Sequence, residues 1–511
     1  FYSYDGANWA AGTGTGIFAV SGTDVTWGVD ASGVATWVAT GVGFTDPLTG
    51  VFNSGGQVAH SLNGRAWTLI SQPTAIIAPT ITTLSATTRG YAMVAPPASR
   101  TGFINQTYNN IWRMLGADID GETAGDESGV SVSMSADGTV VAIGAIKNDG
   151  SGNLLSNSGH VRVYKYNPNK SVAQLNQNLP GFGPAGWDRL GGDIDGKATL
   201  AESGYSVALS ADGTMVAIGA RHYADTNPGH VRIYKYRAGK TDPQLTNSAA
   251  TATDFGPAGW DRLGGDIDGE AAADQNGYSV SLSADGTTVA IGAPTANNPA
   301  GTNDVGHVRV YKYNPDKASV PVKWEQLGAD IDGEDANDRS GTSVSLSADG
   351  TTVAIGANQN NSNTGHVRVY KYTPGKAAVT VQTDLSFGPA GWTRLGADID
   401  GEALSDQSGW SVSLSADGTV VAIGGSKNAG TAAFAGHVRV YKYTPDKAAV
   451  TVQTDLSFGP AGWTRLGADI DGEAGSDQSG WSVSLSADGT TLAIGAIAND
   501  GPTTNTSDNR G

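Results

Sequence analysis

One phrase recurs six times in this chain, and it leaves few folds open. Trp-x-x-Leu-Gly-x-Asp-Ile-Asp-Gly begins at Trp112, Trp187, Trp260, Trp324, Trp392 and Trp463, at intervals of 75, 73, 64, 68 and 71 residues. Each copy runs on through a segment of the type Ser-Gly-x-Ser-Val-Ser-Leu-Ser-Ala-Asp-Gly-Thr, then Val-Ala-Ile-Gly. In all but the last copy a variable loop and Gly-His-Val-Arg-Val-Tyr-Lys-Tyr follow. Residues 373–418 return almost unchanged at 444–489, which marks a duplication. Self-similarity at a fixed period means stacked supersecondary units that bury a core only against their neighbours.

Each unit reads as four strands. In the first clear copy they are A (Ser131–Ser135), B (Val140–Ala145), C (His160–Tyr166) and D, which opens at Trp187. The Asp-Gly pair between A and B is a hairpin signal. Strand C alternates, with Val161 and Val163 on one side and Arg162, Tyr164 and Tyr166 on the other. Four antiparallel strands in about 70 residues describe a propeller blade rather than a β-helix coil, whose period is far shorter.

The first hundred residues differ in sequence but keep the phase. Asp24–Val29, Val34–Thr40, Gly56–His60 and Trp67–Ile70 stand for A to D; Ile81–Ser85, Tyr91–Pro96, Gly102–Tyr108 and Trp112 repeat the set. The chain opens at Phe1 in a segment that fits strands C and D, and stops at Gly511 after a copy that has only A and B. The expectation is an all-β fold: a single β-propeller of four-stranded antiparallel blades over residues 1–511. Residues 1–22 and 474–511 would form the closing blade, 23–72 and 73–116 two degenerate blades, and 117–473 five regular ones. That makes eight blades. The alternative is seven, with residues 1–54 left to an upstream domain. Closure removes sheet edges that would otherwise invite aggregation. The opening without Met reads as a processed or partial chain.

Composition narrows the function classes. With Lys+Arg 31 against Asp+Glu 49, the net charge is -18, which argues against nucleic acid as a partner. Zero Cys excludes a disulfide scaffold and thiolate zinc sites. No apolar run approaches the ~20 residues of a membrane-spanning helix.

The repeat resembles the FG-GAP repeat of integrin-α-type propellers. Ile291-Gly292-Ala293-Pro294 and Gly306-His307-Val308-Arg309-Val310-Tyr311 carry the likeness, which covers about residues 82–511. It implies a propeller. The family's Ca²⁺ hairpin between strands A and B has several aspartates, whereas this chain has one there, at Asp137, Asp285 and their equivalents, so that site does not carry over. The N-terminal Ser-x-Asp-Gly-type stretches ending at Trp9 and Trp67 resemble Asp-box turns, one residue short.

The Asp-Ile-Asp-Gly-Glu loop is the sharpest chemical candidate. Its copies are Asp118, Asp120, Glu122 and Asp126; Asp266, Asp268, Glu270 and Asp274; Asp330, Asp332, Glu334 and Asp338; Asp398, Asp400, Glu402 and Asp406; Asp469, Asp471, Glu473 and Asp477. Clustered carboxylates beside a glycine suit a hard cation such as Ca²⁺. The competing reading is an Asx-type turn whose carboxylates accept nearby backbone N–H groups. In the second copy Lys197 and Ala201 replace the glutamate and the last aspartate, so the blade folds without four acids. No cofactor is required on this reading, and calcium is the candidate ion.

His160, His230, His307, His366 and His437 recur at the start of strand C and read as structural hydrogen-bonding residues. Arg162, Arg232, Arg309, Arg368 and Arg439 are candidates to pair with the loop carboxylates. The tryptophan opening strand D reads as packing between blades. No nucleophile triad, P-loop or dinucleotide motif occurs. The resulting expectation is a non-enzymatic extracellular, cell-surface or virion-surface propeller, structural or adhesive, with a glycan- or protein-binding receptor as the alternative. Its partners would be other surface proteins or glycans, within a larger chain or assembly and without membrane insertion.

Overall fold

The computed structural model describes strands between residues 21 and 70, and residues 114–499 apart from 151–154, 175–181, 222–226, 242–255, 299–300, 317–322, 381–386, 431 and 452–457. The chain forms two compact units, residues 1–113 and 114–511. In the first, Ser21–Val29, Ala35–Thr45, Phe52–Ser61 and Thr68–Ile70 pair in sequence order as one antiparallel sheet. This is the four-strand pattern expected over 23–72. The part of the expected closing blade in 1–20 and 500–511, and the degenerate copy over 73–113, lie outside the described residues, and the count of eight blades rests on them.

The second unit is a propeller array. Five sheets repeat the order A-B-C-D, all antiparallel, and a sixth sheet has A and B. In the first blade the strands are Ser128–Met134, Val140–Ala145, His160–Tyr166 and Trp187–Arg189. Strand A begins earlier than its alternation suggested, because the register with strand B shifts between Ser128 and Ser131 as a β-bulge. A further two-residue strand, Ile194–Asp195, comes from the Asp-Ile-Asp-Gly phrase and pairs with strand C, His160 opposite Asp195 and Val161 opposite Ile194. The same pairing recurs in the next four blades. The loop is therefore partly strand.

Successive sheets share their cores. One cluster joins Val140, Ala142, Val161, Val163 and Ile194 of the first blade to Val207, Val216, Ile218, Tyr234 and Trp260 of the second. The opening tryptophan of strand D ties a blade to the segment before it: Trp260 Nε1 donates to the Leu190 carbonyl at 2.8 Å, and Trp187, Trp324, Trp392 and Trp463 do the same to Leu115, Leu263, Leu327 and Leu395. The backbone approaches closely where the Gly of strand B faces the next strand A. A Cβ added at Gly144, Gly292 or Gly356 would lie 2.0–2.1 Å from the carbonyl oxygen of Gly204, Gly341 or Gly409. Only glycine fits there. Among the described residues no helix is long and apolar enough to cross a membrane.

Candidate cation sites at the repeat junctions

The alternation of strand C puts its histidine and arginine on one side and its valines on the other. The short strand that follows strand D then carries the first loop aspartate up to that arginine. In the first blade Arg162 grips Asp193 with two hydrogen bonds of 2.9 Å, and Arg189 adds a third of 2.6 Å. Arg162 also meets Glu122 from the preceding loop. The expected pairing of strand C arginines with loop carboxylates is present here and at Arg232–Asp266. Arg309, Arg368 and Arg439 instead donate to the backbone carbonyls of Asp268, Asp332 and Asp400, and lie 3.4–3.5 Å from Glu270, Glu334 and Glu402.

The acids of one loop take different tasks. The last aspartate caps its own turn. Asp274 accepts from the Glu270 and Ala271 N–H groups at 3.0 and 2.7 Å, and Asp338 and Asp406 repeat this. Asp126 and Asp477 accept from Thr123 N and Ala474 N in the same way. These are Asx-type turns. The glutamate reaches forward to the next blade, where it meets the first aspartate of the following loop. Four groups result: Glu122, His160 and Asp193; Glu270, His307 and Asp330; Glu334, His366 and Asp398; Glu402, His437 and Asp469. In each, one imidazole nitrogen and two carboxylate oxygens lie within 4.8 Å of one another. Among the described residues no three acids of a single loop converge in this way. Asp118, Asp120, Asp471 and Glu473 belong to none of these groups.

The histidines, read as structural hydrogen-bonding residues, leave part of that capacity unused. His160, His307, His366 and His437 are 1–2% exposed, and each keeps one buried ring nitrogen without a hydrogen-bond partner. Burial, with the neighbouring arginine second, pushes His307 and His437 down to about 4 and His366 well below its ordinary value. These rings are neutral near pH 7, so one nitrogen of each offers a lone pair. A neutral imidazole beside two carboxylates is a set that a divalent cation can use. Side chains able to hold a metal are therefore present.

The second repeat supplies the contrast. Lys197 stands where the other loops have glutamate, and its ammonium lies 2.8 Å from Asp266 and 3.6 Å from Asp268. A cation of the chain's own fills that junction. The turn aspartates of strand A hairpins are engaged within their own turns. Asp137 accepts from Ser135 Oγ at 2.7 Å and Thr139 N at 2.9 Å, and those bonds hold its carboxyl below the usual range.

No family model matches the chain, and no curated protein matches its sequence. Solved structures do. A protein of Bacteroides uniformis named as a candidate 6-phosphogluconolactonase is 10% identical, with 73% of this chain and 79% of that chain covered and a TM-score of 0.40. A periplasmic gluconolactonase of Pseudomonas aeruginosa is 14% identical, with 72% and 78% covered and a TM-score of 0.38.

Both neighbours are named as lactonases, and the expectation of a non-enzymatic structural or adhesive module is corrected on that finding. The junctions are not equivalent: residue 197 is Lys among glutamates, and residue 326 is Gln where residues 189, 262, 394 and 465 are Arg. A likeness at this level assigns no activity to the chain, since one fold hosts many chemistries.

Proposed function

We propose that this chain is a cation-binding propeller whose repeat junctions take divalent metal ions. The observation that carries the reading is a buried imidazole at each of four junctions: it keeps one nitrogen unpartnered, and a ring nitrogen lies within 4.8 Å of two carboxylate oxygens. An unsatisfied buried acceptor is costly, and a metal ion satisfies it. The arginines hold the carboxylates in place when the ion is absent. Lys197 supports the same reading, because the junction without glutamate carries an ammonium instead. The FG-GAP-like phrases support kinship with integrin-type propellers and an extracellular setting, where this reading places the protein's work.

The test is equilibrium dialysis of the metal-stripped full chain against Ca²⁺, Mn²⁺ and Zn²⁺, followed by thermal melts. Binding at 100 times Kd adds about 2.7 kcal/mol to stability. Retention of at least one ion with a matching rise in melting temperature is expected, and both are lost progressively as His160, His307, His366 and His437 are replaced by Asn. If no ion is retained and none moves the melt, the chain is not a cation-binding protein.

A further inference from the structure

We propose that the junction of Glu270, His307 and Asp330 is the tight metal site of this chain, and that it selects a borderline, nitrogen-accepting divalent cation of the Zn²⁺ class over Ca²⁺. This rests on the cation-binding reading above and adds which junction and which ion.

Charge compensation distinguishes the junctions. At Asp193, Asp398 and Asp469 the residue four positions earlier is an arginine, which bonds the aspartate at 2.6–2.8 Å. Together with the strand C arginine, two guanidinium groups face the aspartate and the glutamate there. These junctions are close to neutral, and an incoming dication has to displace guanidinium groups. At the junction of Asp266, Lys197 adds a cationic group to Arg232 and Arg262. At Asp330 the equivalent residue is Gln326, whose amide donates at 2.5 Å without bringing charge. Among the described residues Arg309 is then the one guanidinium against Glu270 and Asp330. Its Nη1 lies 3.4 Å from Glu270, while its Nη2 is committed to the Asp268 carbonyl at 3.2 Å and Asn276 Oδ1 at 3.4 Å. One negative charge is left uncompensated.

One further feature agrees. His307 is 2% exposed and keeps Nε2 unpartnered, whereas the Glu270 side chain is 57% exposed, so this junction joins a buried ring to a carboxylate open to solvent. One imidazole and two carboxylates form the mixed nitrogen and oxygen set that zinc accepts in catalytic-type sites with a position left for water. Calcium asks for six to eight oxygens, and a buried ring nitrogen at the centre of the set works against it.

The experiment is isothermal titration of the metal-stripped full chain with ZnCl₂ and, separately, CaCl₂, read beside far-UV circular dichroism. One Zn²⁺ equivalent at least tenfold tighter than any other, and tighter than any Ca²⁺ equivalent, is expected. Gln326→Arg installs the arginine found at the other junctions on an exposed position, and should abolish the tight equivalent with the fold intact. Arg394→Gln should create a second tight equivalent at Glu334, His366 and Asp398; if that variant does not fold, Gln326→Arg decides. Four equal equivalents, unchanged affinity in Gln326→Arg, or tighter Ca²⁺ would overturn this inference and leave the broader reading standing. No binding of either ion, with no melt shift by Mn²⁺, would remove both.

Discussion

Replacing Trp260 tests whether the opening tryptophan of strand D fastens one blade to its neighbour. Its ring is 0% exposed, packs on Tyr236 at 5.3 Å between centroids, and donates Nε1 to the Leu190 carbonyl at 2.8 Å. Two losses follow from truncation. Removing a buried aromatic side chain costs about 3–5 kcal/mol. Leaving the Leu190 carbonyl without its donor adds about 1–3 kcal/mol. Trp260→Ala should therefore cost roughly 4–8 kcal/mol, and Trp260→Phe, which keeps most of the ring, roughly 1–3 kcal/mol. Trp481 is the control. It is half-buried and stacks on Trp410 at 4.6 Å, an aromatic pair worth about 0.5–1.5 kcal/mol beyond its area. Urea unfolding of the full chain, followed by circular dichroism, reads all three. If Trp260→Phe matched the parent within experimental scatter, or Trp481→Ala cost as much as Trp260→Ala, the tryptophan would be filling space and not fastening blades.

Acid should destabilise the chain through its buried histidines. His307 and His437 titrate at about 4 when folded and near 6.5 when unfolded, so their contribution is full above 6.5 and is lost as the pH falls to 4, at about 3 kcal/mol each; Asp332, held up at about 6, acts in the opposite sense between about 6 and 3.8. Melts from pH 7.5 to 4 on the parent and on His437→Gln should differ in slope, and equal slopes would refute the assignment. Gly356→Ala should prevent tight blade stacking, because its Cβ would sit 2.0 Å from the Gly409 carbonyl; a soluble variant melting like the parent would refute that close approach. Asp349→Ala removes the acceptor for Ser347 Oγ and Thr351 N in one hairpin turn. It should lower the melt by the equivalent of about 1 kcal/mol, with no loss of metal binding.

Much of the architecture was legible because the repeat states it many times over. Strands B and C matched their expected bounds in the first blade, since Val-Val-Ala-Ile-Gly-Ala and His-Val-Arg-Val-Tyr-Lys-Tyr are β-rich runs with turn residues on either side. Strand A began three residues early, at Ser128, because a β-bulge interrupts the alternation by which its start was placed. The Asp-Ile-Asp-Gly phrase read as turn or metal loop; the turn reading describes its last aspartate, and among the described residues no three acids of one loop converge. Its last aspartate caps a turn, while its Ile-Asp step pairs with strand C, which no local propensity announces.

The candidate site was harder to see for a reason rooted in the fold. A repeat invites each copy to be read as a self-contained unit, so the four acids of one loop looked like one cluster. A propeller, however, buries its polar side chains as it buries its apolar ones, between neighbours. Glu270 leaves its loop forward and Asp330 arrives from the next, with His307 between them in sequence as well as in space. Reading the period from one glutamate to the following aspartate, across strand C, would have drawn the triad together from the order Glu, His, Asp alone. The same frame sorts the copies by charge, because it sets Lys197 and Gln326 against their counterparts at equivalent junctions. What the shifted frame lacks is distance. Whether an imidazole nitrogen is left without a partner depends on which groups the fold brings beside it, and the Nη2 of Arg309 goes to the Asp268 carbonyl, a backbone atom.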